Sequence, residues 1–97
     1  MNSLDTPILF IIFNRPDVTA RVFETIKHAR PKSLFIAADG PRSTHPKDSE
    51  LCEQTRAIVS EIDWPCDVRT KFNAKNLGCK YAVSSAISWF FQHVDSG

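Results

Sequence analysis

The chain has 97 residues, enough for one small hydrophobic core. Hydrophobic residues make up 42% and charged residues 24%, an ordinary globular balance that excludes disorder along the whole chain. Twelve basic residues against eleven acidic ones leave a net charge of +1, which argues against a nucleic-acid or anionic-membrane partner but leaves room for a small phosphorylated ligand beside a local basic cluster.

The first predicted element is a strand over Ile8 to Phe13. Its apolar run is continuous rather than alternating, as expected of a parallel strand covered on both faces. With Asp5 before it and Asn14-Arg15 after it, the run is too short and has the wrong flanks for a signal peptide. Asn14-Arg15-Pro16 ends the strand, and Pro16 suits the first turn of a helix. Val18, Val22, Phe23 and Ile26 recur on one helical face, and Pro31 stops that helix. A second strand is predicted over Ser33 to Ala38, closed by the loop chemistry of Asp39-Gly40-Pro41-Arg42. After a polar stretch from Ser43 to Ser49, the residues Leu51, Thr55, Ile58, Val59 and Ile62 mark the face of a second helix, ended by Trp64-Pro65. The third strand, Asp67 to Phe72, alternates and carries Arg69 and Lys71, as a strand near a sheet edge does. Asn73 to Gly78 is a loop, and a third helix runs from Cys79 to Val94. Ala82, Val83, Ala86, Ile87, Phe90 and Val94 form its face, with Trp89 and Phe91 off it.

This alternation predicts an α/β fold of three layers: a mostly parallel sheet in βαβαβα order, folded as a single domain. No apolar run is long enough to cross a membrane, and the chain reads as a soluble cytoplasmic protein. Cys52, Cys66 and Cys79 show neither C-x-x-C nor zinc-finger spacing, so free thiols acting as small hydrophobes are expected rather than a disulfide or a structural zinc site.

Ligands of open parallel sheets bind outside the carboxyl ends of the strands. Here those ends carry Asn14 and Arg15, then Asp39, Gly40 and Arg42, then Asn73, Lys75 and Asn76, with Lys80 one turn into the last helix. Cations suit phosphate oxygens, a carboxylate can accept from the N–H of a base, and amides reach ribose or phosphate. Each residue also has a plainer reading. Asn14 can cap the following helix, Asp39-Gly40 and Asn76 can be turn chemistry, and Arg15 and Lys80 can be solvated surface cations. His28, in the last turn of its helix, reads as a partner of the helix dipole. The scattered glycines exclude G-x-G-x-x-G and Walker A loops, and no G-x-S-x-G elbow exists. Asp39-Gly40 lacks the nucleophilic aspartate that a haloacid-dehalogenase-type phosphatase carries two positions earlier, where this chain has Ala37.

The segments PILFIIFNRPDVTARVFETI, FIAADGPR and NAKNLGCKYAVSSAISWFF together resemble the N-terminal half of nucleotide-sugar glycosyltransferases of the GT-A fold. The likeness is to the family 2 and N-acetylglucosaminyltransferase I types and runs from about Pro7 to Gly97. The resemblance implies a nucleotide-binding role for Phe13, Asn14 and Arg15 at the end of the first strand, Asp39 on the base, and Asn76 and Lys80 in the donor pocket. It implies a UDP-type donor, and manganese or magnesium in a complete family member. This chain has no Asp-x-Asp, so no metal ligand and no catalytic residue is assigned within it.

Two functions follow as expectations. One is the donor-binding part of a glycosyltransferase, truncated before its metal-binding strand and acceptor half and inactive alone. The other is a small α/β nucleotide-binding or protein-interaction module without catalysis. With the first strand at an open edge, self-association is expected through Ile8 to Phe13 or through the Trp89/Phe91 side of the last helix.

Overall fold

A computed structural model describes residues 5–94 of the chain. The elements are β1 (Ile8–Ile12), α1 (Pro16–Ala29), β2 (Ser33–Ala38), α2 (Asp48–Ile58), β3 (Asp67–Phe72) and α3 (Cys79–His93). The three strands form one parallel sheet in the order β1-β2-β3. The α/β class, the parallel sheet and the βαβαβα order therefore match the sequence expectation.

Side chains alternate between the two faces of each strand, and the parallel register aligns those faces. Phe10 pairs with Ile36, which pairs with Thr70, while Ile11 pairs with Ala37 and then Lys71. On one face Phe10, Ile12, Leu34, Ile36 and Ala38 pack with Phe23 and Ile26 of α1, and with Val59 and Trp64 beyond the end of α2. Trp64 is anchored by its indole Nε1–H, which donates to the Pro31 carbonyl at 2.8 Å. On the other face Phe35 meets Trp89 and Phe90 of α3 edge-on, with ring centroids 5.3 and 5.0 Å apart. Leu34 and Ile36 of the central strand are fully buried, whereas β3 is exposed along nearly all its length, as its charges predicted.

Several details depart from the sequence reading. β1 stops at Ile12, leaving Phe13 in the turn. Pro16 opens α1 as expected, but Asn14 does not cap it. The buried residues of α1 are Thr19, Phe23 and Ile26, while Val18 and Val22 are exposed because the sheet ends at β1 and nothing described lies over them. α2 starts at Asp48, inside the stretch read as polar loop, and ends at Ile58. Thr55 and Val59 are buried as expected and Ile58 and Ile62 pack against the core, but the stripe continues toward the helix start through Cys52 and Asp48 rather than through Leu51. Ile62 lies beyond the helix, where turn bonds from Ser60 N–H to the Ala57 carbonyl and from Glu61 N–H to the Ile58 carbonyl have already ended it. On α3, Trp89 is on the packing face rather than off it and Ile87 points outward, while Phe91 is off the face as expected. Of the three free cysteines, Cys52 is buried, Cys66 is half-buried and Cys79 is exposed. Burial pushes the Cys52 and Cys66 thiols up from their ordinary value.

Candidate functional site

The three loops at the carboxyl ends of the strands meet around Asp39. This residue follows β2, is buried, and serves as a junction. Its Oδ1 accepts from the Gly40 N–H at 2.9 Å, from the Leu77 N–H at 2.9 Å and from the Asn73 amide at 3.3 Å. Its Oδ2 accepts from the Asn76 amide at 3.0 Å. The loop after β3 is thus tied to the end of β2. Asn76 strengthens the tie by donating also to the Gly40 carbonyl, and its own Oδ1 accepts from the Gly78 N–H. A glycine is needed at position 40, because a Cβ there would lie 2.6 Å from the Lys75 backbone carbonyl carbon. Gly78 takes φ 88°, in the left-handed region that favours glycine, and opens α3 without a side-chain cap.

A second buried carboxylate, Asp48 at the start of α2, ties the β1 end to the loop after β2. It receives the Arg42 backbone N–H at 3.1 Å, Arg42 Nε at 2.6 Å, Arg42 Nη2 at 3.0 Å and the Asn14 amide at 3.1 Å. The guanidinium so held lies 5.5 Å from the centre of the Phe13 ring. Hydrogen bonding from Arg42 outweighs burial and holds the Asp48 carboxyl well below the usual carboxylate range, while the same bond raises Arg42. The unfolded chain therefore binds more protons than the folded one in the window below the ordinary carboxylate value. The stabilisation from Asp48 is fully present above about pH 4 and is lost as pH falls toward the folded value. In acid denaturation, Asp48→Asn should flatten the loss of stability below about pH 4 and leave the curve's shape between pH 5 and 8 unchanged. An acid limb identical to that of the parent chain would contradict this role.

Arg56 of α2 completes the frame. Its Nη2 donates to the Asp39 and Asn73 carbonyls at 3.1 and 2.9 Å, and its guanidinium stacks 4.8 Å from the Phe72 ring. Its buried Nε has no partner among the described residues.

A cleft of about 490 Å³ opens beside this frame. Phe13 and Arg15 line it from the β1 end, Asp39 and Arg42 from the β2 end, and Asn76 with Gly78 and Cys79 from the start of α3. The structure thus brings Phe13, Arg15, Asp39 and Asn76 to one cavity. Asn14 stands behind it, bound to Asp48, and Lys80 is exposed and does not line it. Asp48 and Arg56 were missed in the sequence. For Asp48 a signal existed: Asp48, Cys52, Thr55 and Val59 recur at helical spacing, which makes the aspartate the first member of a buried stripe.

Among the described residues no three His, Cys, Asp or Glu come together as cation ligands. Four N–H donors bond each of the Asp39 and Asp48 carboxylates and leave only Asp39 Oδ2 with acceptor capacity toward the cleft, too few oxygens to fit a divalent cation. No described helix is long and apolar enough to cross a membrane. No protein-family model, curated protein or solved structure matches the chain.

Proposed function

We propose that the chain binds the nucleotide part of a UDP-type nucleotide-sugar, as the donor-binding portion of a GT-A-type glycosyltransferase. The observation that carries this reading is the cleft that runs along the β1 edge and opens at the carboxyl end of the parallel sheet, where Arg15, Asp39, Arg42 and Asn76 line it. The exposed Arg15 guanidinium and the uncapped first turn of α3, from Cys79, suit the two phosphates. The Phe13–Arg42 stack offers a flat surface for a pyrimidine ring. Asp39 Oδ2 accepts one bond among the described residues and keeps a lone pair for the imide N–H of uracil. The reading assigns binding, and no catalytic step, to this chain, acting in the cytoplasm where its thiols stay reduced.

Arg15 is the cleanest probe, because its side chain is exposed and no described residue depends on it for stability. By isothermal titration UDP should bind the parent chain, and Arg15→Ala should weaken it about tenfold through loss of one charge-assisted contact. Equal affinity in both chains would refute the assignment of Arg15, and no binding of UDP, GDP or dTDP at millimolar concentration would refute the reading.

A further inference from the structure

β1 is one edge of the sheet, and among the described residues nothing pairs with its outer side. In a parallel strand the N–H and C=O of one residue point to the same side, alternating residue by residue. The Ile12 carbonyl accepts from the Asp39 N–H, on the β2 side. Ile8, Phe10 and Ile12 therefore address β2, and Leu9 and Ile11 present their backbone groups outward. Apolar side chains flank this edge on both faces. Ile11 is 37% exposed, Val18 and Val22 of α1 are 43% and 42% exposed, and Ile87 of α3 is 42% exposed. The cleft runs down this side, between α1 and Ala82-Val83 of α3. Ile8–Ile12 contains no charge and no proline, the residues that ordinarily blunt an edge against pairing. Charges stand only at its two ends, Asp5 before it and Arg15 after it.

We propose that this edge is an interface for a second copy of the chain, with β1 antiparallel to the partner's β1 across a two-fold axis and the two sheets continuous. A two-fold axis normal to the sheet makes the pair antiparallel and puts matching faces together. Leu9 and the partner's Ile11 then exchange backbone hydrogen bonds, as do Ile11 and the partner's Leu9, while Phe10 lies opposite the partner's Phe10. Charge favours a second copy as the occupant. Asp5 lies three residues before β1 and Arg15 three residues after it, so antiparallel pairing brings Asp5 to the same end of the interface as the partner's Arg15, twice by symmetry. Both are within reach of a partner: Arg15 is exposed, and the Asp5 side chain is 82% exposed even while bonded to Lys32 at 2.9 Å.

The pairing engages Arg15 and the β1 side of the cleft and so competes with nucleotide there; it is tested without nucleotide. Sedimentation equilibrium of the full chain at low salt, from micromolar to millimolar concentration, should show a monomer–dimer equilibrium. Asp5→Arg and Arg15→Asp should each weaken it about tenfold, because each puts two like-charge contacts where two exposed ion pairs stood. The double variant should return to within about twofold of the parent chain. Ile11→Lys should abolish the dimer while thermal unfolding stays cooperative. Should that variant fail to fold, the charge exchange at the two exposed positions still decides. A parent chain monomeric at millimolar concentration, a dimer indifferent to either single reversal, or a double variant no tighter than the singles would overturn the proposal.

Discussion

Asp39→Ala is expected to remove about 3 kcal/mol of stability, read as a fall in the urea midpoint at unchanged slope. For a domain of this size that is a large share of a total of about 5–10 kcal/mol, and it corresponds to a drop of roughly 15 °C in Tm. The cost comes from donors left behind. The Gly40 and Leu77 N–H groups and the Asn73 and Asn76 amides all converge on one buried carboxylate. An unsatisfied buried donor costs about 1–3 kcal/mol, and water entering from the cleft recovers part of that. Asp39→Asn separates this account from a general packing defect. An amide oxygen at the Oδ1 position keeps three of the four acceptances, so Asp39→Asn should cost about 1–2 kcal/mol less than the alanine variant. An alanine variant within about 0.5 kcal/mol of the parent chain would show that the loop after β3 is held by other means.

Gly40→Ala is expected to cost a comparable amount, about 2–4 kcal/mol, by steric conflict rather than lost hydrogen bonds. The added methyl would lie 2.6 and 2.7 Å from the Lys75 carbonyl carbon and nitrogen, and 2.8 Å from the Ala74 carbonyl carbon. All three atoms are backbone, so no side chain can swing aside and the whole loop must shift. The loop it displaces is the one that Asp39 holds. The two lesions should therefore be less than additive, with the double variant about 1 kcal/mol more stable than the sum of the singles predicts. Strict additivity in denaturant unfolding would contradict a shared junction.

Both predictions concern a feature only partly legible in the sequence. Asp39-Gly40 and Asn76 stood out as a carboxylate, a glycine and an amide at strand ends. Their plainer reading as turn residues proved incomplete, because the bonds of Asp39 reach across to Asn73, Asn76 and Leu77. Such pairing between distant loops follows from strand order, which local patterns do not specify. The strands themselves were legible. The unbroken apolar run of Ser33 to Ala38 is that of a strand covered on both faces, and the charges of Asp67 to Phe72 are those of an edge. Helix faces were less so. On α1 the rule that apolar residues face the core took in Val18 and Val22, and the open side of β1 leaves both exposed. On α3 a helix apolar nearly all round gave no unique face, and Trp89 turned inward to meet Phe35. Asp48 was passed over because it stands in a polar stretch, although its spacing to Cys52, Thr55 and Val59 marks it as the first member of the buried stripe.

The candidate site divides along the same line. Arg15 faces the cleft with its charge free to act on a ligand and Cys79 lines it at the uncapped start of α3, whereas Asn14, Arg42, the Gly78 N–H and most of Asp39 are engaged in holding the loops. Residue type alone does not distinguish a ligand contact from a loop fastener, and only the hydrogen-bond partners do.

Nucleotide binding at the strand ends is tested most directly by titrating UDP into the nitrogen-15-labelled chain and following its backbone amide resonances. Binding in the cleft predicts saturable shifts at Asn14, Arg15, Arg42 and Asn76 to Lys80, with Ser60 and Trp64, near the amino end of the sheet, unmoved. Unchanged spectra at millimolar UDP, GDP and dTDP, or shifts confined to the Trp64 end, would contradict it.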